Sequence, residues 1–190
     1  QQADVLRLDW DVFRAVPGAP AWRVFGNLPY YITSPILLQL WGHAAHLRDA
    51  VLMVQQEVAE RLCADPGQRA FGRLTVTGQL HARCRRLFDL PPGAFRPAPK
   101  VTSTLLHLEF SSRAAEVGVD TAAFDRFVQQ AFAQKRKRLS NNLHAWGPGA
   151  VISAHLAALG HAPGARAEQL SLDALVALFH RLQLKPPAAS

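Results

Sequence analysis

Residues 24–40, "VFGNLPYYITSPILLQL", constrain this chain more than any other stretch. A strand-like apolar run stops at Asn27-Leu28-Pro29-Tyr30, and an apolar helix-like run starts a few residues later. Pro35 suits the first turn of that helix, where its missing N–H has no intrahelical partner. A strand that feeds directly into a helix is the repeating step of an α/β sheet.

The segments that follow keep this rhythm. Residues 22–26 read as a strand, and residues 3–8 as a short strand or its exit. Residues 50–55 ("AVLMVQ") form a continuous apolar run, as expected of a strand covered on both faces. Helical readings at 57–64 and 73–79 flank Asp65-Pro66-Gly67, and 82–90 and 102–110 are strand candidates with partial alternation. Between the last two lies "PPGAFRPAPK", whose four prolines point to an ordered, extended loop. Beyond Ser112 the period changes. Phe124, Phe127, Val128, Ala131 and Phe132 recur at helical spacing, and no further strand signal follows. The expected architecture is α/β over residues 1–112, followed by a smaller all-helical domain over 113–190.

Composition excludes several classes. Hydrophobic residues make up 49% and charged residues 18%, a globular balance, and no apolar run reaches a membrane-spanning length. Nothing reads as a secretion leader. Cys63 and Cys84 lack Cys-x-x-Cys spacing and are expected to be free thiols in a reducing compartment, hence the cytoplasm. His43 and His46 lie three apart with no third ligand, so no metal site is expected. The net charge of +7 favours a polyanionic partner. The chain starts at Gln1 and reads as the later part of something longer.

The chemistry concentrates at Asn27–Tyr30. In open α/β sheets, ligands sit beyond the carboxyl ends of strands. There the Asn27 side-chain carbonyl, a backbone carbonyl freed by the Pro29 turn and the Tyr30 ring would converge. Two acceptors and a flat ring suit a planar base bearing an exocyclic amine. The adenine amine is a poor nucleophile because its lone pair is delocalised into the ring. Accepting both its hydrogens favours a tetrahedral nitrogen, and such acceptors help most in the transition state. The competing reading is a plain strand-to-helix turn with a core tyrosine.

Other residues bear on that choice. Asp4 could accept from the adenine amine of a nucleoside cofactor, or simply cap a helix or sit in a loop. Phe95, among prolines, could be a second stacking platform for an extruded base, or a small hydrophobic plug. Lys135, Arg136, Lys137 and Arg138 form a like-charge block, which favours phosphate contact over a solvated face. No Gly-x-Gly nucleoside loop and no Walker lysine occurs in the chain.

These motifs together resemble the ribosomal RNA adenine N6,N6-dimethyltransferases of the small-subunit type. "ADVLRLD", "GNLPYYITSPIL", "MVQQEVAERL", "FGRLTVTGQL", "AFRPAPKVTSTLLHL", "AFAQKRKRLSNNL" and "RAEQLSLDAL" are similar to successive family blocks. The resemblance implies a Rossmann-like methyltransferase sheet, of which this chain would hold the second half, plus a helical RNA-binding domain. It implies that Asp4 and Val5, with Asn27, meet S-adenosylmethionine, in a site left incomplete because the family's glycine loop lies outside this chain. Asn27, Leu28, Pro29, Tyr30 and Phe95 would form the catalytic lip, with Tyr30 and Phe95 around the target adenine. Arg96, Lys100, Lys135, Arg136, Lys137 and Arg138 would contact RNA. The implied reaction is dimethylation of two adjacent adenosines in the 3′-terminal hairpin loop of 16S rRNA, within an immature 30S subunit. Three other readings remain: a large-subunit rRNA methyltransferase, a DNA or protein amide methyltransferase, and a non-catalytic ribosome-assembly factor.

Overall fold

The computed structural model describes residues 3–10, 21–111 and 113–183. Its sheet has four strands in the order β1-β2-β4-β3: β1 (Trp22–Asn27), β2 (Leu47–Gln55), β3 (Ala82–Leu90) and β4 (Ser103–Phe110). β1 pairs parallel with β2, while β4 runs antiparallel to both β2 and β3. The helices α1 (Thr33–Gly42), α2 (Gln56–Leu62) and α3 (Arg73–His81) link these strands. After β4 come α4 (Arg113–Glu116), α5 (Thr121–Ala131), α6 (Leu139–Asn142), α7 (Gly149–Ala158) and α8 (Leu172–Gln183).

The chain forms two compact units. One comprises the described residues of 1–63 and 81–113, the other those of 64–80 and 114–190. The sequence reading placed 64–80 with the sheet. In the structure Phe71, Val76 and Leu80 instead join the buried cluster of the helical unit. Hydrophobic burial is not directional, so an amphipathic segment packs against whichever apolar surface the fold supplies.

Register assigns every strand residue to a face. Ala50, Leu52 and Val54 of β2 lie beside Leu108, Leu106 and Thr104 of β4, and all six are buried. The opposite face carries two rows, Phe25–Val51–His107–Arg85 and Asn27–Met53–Leu105–Phe88. Val51, Met53 and Leu105 are only half-buried there, and Phe25 is 71% exposed. The expectation that residues 50–55 are covered on both faces is therefore not met among the described residues. An apolar run reports what a strand can bury, not what lies against it.

Residues 3–8 are a turn and not a strand. The Asp4 carboxylate accepts the Leu6 N–H at 3.0 Å, and its carbonyl accepts the Arg7 N–H at 3.0 Å. These local bonds occupy donors that a ladder would need.

The helical unit is built around aromatic rings. Phe179 meets Phe124 edge-on at 5.3 Å, with Phe127 at 5.4 Å and Trp146 at 5.7 Å. Asp120 caps α5 by accepting the Ala123 N–H at 2.7 Å. Among the described residues, no helix is long and apolar enough to cross a membrane.

Both cysteines are free and partly buried. Burial pushes the Cys84 thiol up to about 12, and the neighbouring Cys63 adds to the rise. Only the thiolate is nucleophilic. Cys84 in the folded protein should therefore alkylate at pH 8 about 10³-fold more slowly than a free thiol. Timed iodoacetamide labelling, read by peptide mass, checks this against the urea-unfolded chain.

Candidate active site

One lip of the sheet gathers the carboxyl ends of β1, β2 and β3 and the amino end of β4. Asn27 is the last residue of β1 and lies beside Met53. Ser103, the first residue of β4, pairs with both Gln55 and Leu90. Residues 91–102 therefore leave and re-enter the sheet at this lip, carrying Phe95, Arg96 and Lys100.

Asn27 is exposed, and among the described residues its side chain makes no hydrogen bond. Its free amide thus costs nothing in burial and is open to a ligand. Leu28 turns inward: it is 8% exposed, and its N–H donates to the Met53 carbonyl at 3.1 Å. Gly26 makes room for that inward turn. A Cβ there would sit 3.0 Å from Leu28 Cδ2, tighter than packed atoms usually approach, so the Leu28 side chain would have to shift.

The Pro29 carbonyl accepts both the Ile32 N–H at 3.1 Å and the Thr33 hydroxyl at 3.2 Å. It is committed to the start of α1. Among the described residues the Leu28 carbonyl accepts no hydrogen bond, so it remains a backbone acceptor at this lip. Tyr30 opens a 3-10 turn (Tyr30–Ile32), half-buried, with its hydroxyl 2.7 Å from Ser103 Oγ. Ser103 is fully buried, so this bond ties the ring to β4 and limits its rotation. The sequence reading missed Gly26 and Ser103. Gly26 was legible as a small residue one step before a lip, whereas Ser103 became a partner only through strand pairing.

The other candidate residues are distributed as follows. Phe95 is half-buried at the end of a 3-10 turn (Pro92–Ala94), while Arg96 and Lys100 are exposed. Asp4 and Val5 lie in the turn described above. Asp4 Oδ2 stands 3.8 Å from Arg7 Nε, and among the described residues its contacts stay within that turn. The carboxylate thus keeps acceptor capacity suited to a nucleoside amine.

Lys135, Arg136, Lys137 and Arg138 are exposed in the helical unit, between α5 and α6. The turn bearing them is braced by Asn142, which is 7% exposed and donates its amide to the Ala131 carbonyl at 2.7 Å and the Gln134 carbonyl at 3.1 Å. Lys135 Nζ donates to the Arg69 carbonyl at 2.7 Å. The Arg138 guanidinium lies along Gly164, where a Cβ would meet Nε at 3.5 Å. Four like charges on a hydrogen-bonded turn have no carboxylate partner among the described residues.

A family model described as ribosomal RNA adenine dimethylase matches residues 3–184. A ribosomal RNA small subunit methyltransferase A from Acidobacterium capsulatum is 52% identical over 182 residues, covering 95% of this chain and 63% of that protein. One of the same name from Aromatoleum aromaticum is 43% identical over 188 residues, covering 99% of this chain and 68% of its own length. This chain therefore spans about two thirds of the length of these relatives. Among solved structures, a dimethyladenosine transferase from Plasmodium falciparum superposes with a TM-score of 0.69 at 22% identity, covering 90% of this chain and 70% of that one. The 23S rRNA methyltransferase ErmE gives 0.65 at 24% identity, covering 91% and 70%. The fold is thus the Rossmann-like α/β fold, with helices, of these enzymes.

Proposed function

The chain belongs to the ribosomal RNA adenine dimethylase family, and from that premise we propose that the protein dimethylates the N6 amines of two adjacent adenosines. The substrate is the 3′-terminal hairpin loop of 16S rRNA in an immature 30S subunit, in the cytoplasm. The observation that carries this reading is the exposed Asn27 at the end of β1, three residues before a Tyr30 whose hydroxyl is held by Ser103.

In this reading, Asn27 Oδ1 and the Leu28 carbonyl accept the two N6 hydrogens of adenine in the first transfer, and one of them accepts the single hydrogen left on the methylated amine in the second. The nitrogen lone pair is then directed out of the ring plane. Both acceptors strengthen as the amine becomes positive, so they favour the transition state over the ground state. The Tyr30 ring stacks on the extruded base, and Phe95 closes the opposite side. S-adenosylmethionine, when bound, supplies an electrophilic methyl group. Asp4, through its carboxylate, and Val5 in the same turn would hold its adenine, with Asn27 next to its reactive end. Positioning by these groups is the larger part of the catalysis. Arg96 and Lys100 contact RNA near the lip.

The basic turn supplies affinity. Replacing Lys135, Arg136, Lys137 and Arg138 by Gln should weaken binding to immature 30S particles. The salt dependence should flatten by about 0.7–0.9 log units per lost phosphate contact. Methyl transfer at saturating substrate should fall less. Titrations at several salt concentrations check this, and an unchanged slope would mean the turn is only a solvated surface.

Transfer of labelled methyl groups to undermethylated ribosomal subunits tests the function itself. Label is expected in small-subunit RNA. Label in large-subunit RNA, or in protein, would favour one of the other methyltransferase readings. Binding without transfer would favour an assembly factor.

A further inference from the structure

We propose that Tyr31 is a second stacking platform, holding the nucleotide next to the target adenine while Tyr30 holds the target. The inference rests on the function proposed above and adds a substrate contact to the same lip.

Tyr31 is 86% exposed, more than any other large hydrophobic residue that the structure describes. It makes no hydrogen bond or ring contact among the described residues. Its backbone nevertheless lies in an ordered turn. The Ile32 N–H and the Thr33 hydroxyl both bind the Pro29 carbonyl, and α1 then buries Ile36, Leu37, Leu40 and Trp41. In a 3-10 turn successive side chains diverge by about a third of a revolution. Tyr30 therefore points inward to Ser103 and Tyr31 outward from the same lip.

A solvent-facing ring on a hydrogen-bonded turn gains nothing for the fold. It suits a base, because only two side-chain torsions have to be fixed on stacking. Pro35 and Leu38 follow at helical spacing and are also exposed, Leu38 at 58%, so apolar surface continues from the ring along α1. Extruding one adenine unstacks its neighbour, which then needs a π-face of its own. Two rings on consecutive residues, pointing apart, offer one face to each of two adjacent, splayed bases.

A double-mutant cycle between the ring and the base tests this. The full-length protein is titrated with the 3′-terminal 16S hairpin and with the same hairpin made abasic at the nucleotide beside the target. Wild-type protein should lose about 5- to 100-fold in affinity with the abasic RNA. Tyr31→Ala should bind the intact hairpin that much more weakly and be indifferent to the abasic change, while Tyr31→Phe should behave as wild type. Equal abasic penalties in wild type and Tyr31→Ala would overturn the proposal. So would a Tyr31→Ala defect seen on assembled subunits but absent on naked RNA, which would assign the ring to a protein contact. Failure of the underlying function looks different: wild-type protein would then transfer no methyl group to the intact hairpin or to the subunit.

Discussion

Asn27→Ala is expected to lower methyl transfer by about 10²-fold or more, the usual consequence of losing one hydrogen-bond partner of a charged transition state. The loss should fall on kcat, since the acceptor matters most as the amine becomes positive. The fold should survive. Asn27 is an exposed strand-end residue with no described side-chain partner, and surface changes of that kind stay within about 0.5 kcal/mol. Asn27→Asp keeps an acceptor and should fall less. Single-turnover methylation, alongside thermal melts of each variant, separates these effects. A wild-type rate for Asn27→Ala would remove the amide from the mechanism.

Phe179→Ala should destabilise the helical unit by about 3–5 kcal/mol, through lost transfer energy and the cavity left behind. Phe179 is 1% exposed and meets the rings of Phe124, Phe127, Trp146 and His180, so no neighbour can close the gap without breaking a ring contact of its own. Edge-to-face geometry adds to the loss beyond the buried area. A deficit that large is a substantial fraction of a domain's stability. The basic turn would lose its support too, because α5 supplies the Ala131 carbonyl that Asn142 holds. Urea denaturation should show a lower midpoint for the helical unit, with salt-sensitive RNA binding lost in parallel. A loss of stability below about 1 kcal/mol would show that the cluster repacks.

Much of this was legible in the chain. Strand alternation, the Asn27–Tyr30 lip and the helical period after residue 112 are local signals, set by side-chain spacing and turn chemistry. What escaped depends on contacts distant in sequence. Ser103 pairs with Tyr30 across 73 residues, and only the β4 register brings them together. Residues 64–80 joined the helical unit because Phe71 finds Phe132 there, which no local pattern specifies. The turn at Asp4 escaped for the opposite reason. A carboxylate bonding to its own backbone competes with a strand ladder, and the apolar residues around it hid that competition. Which carbonyl remains open at the lip was also hidden, since Thr33 and Ile32 had to be placed before Pro29 could be seen as occupied.

The most direct test of the account is nucleoside mass spectrometry of small-subunit rRNA, isolated after undermethylated 30S particles are incubated with the full-length protein and S-adenosylmethionine. The account predicts N6,N6-dimethyladenosine at two adjacent positions of the 3′-terminal hairpin loop, abolished or nearly so by Asn27→Ala. Methylation at any other base or subunit, or the same two dimethyladenosines formed at full rate by Asn27→Ala, would contradict it.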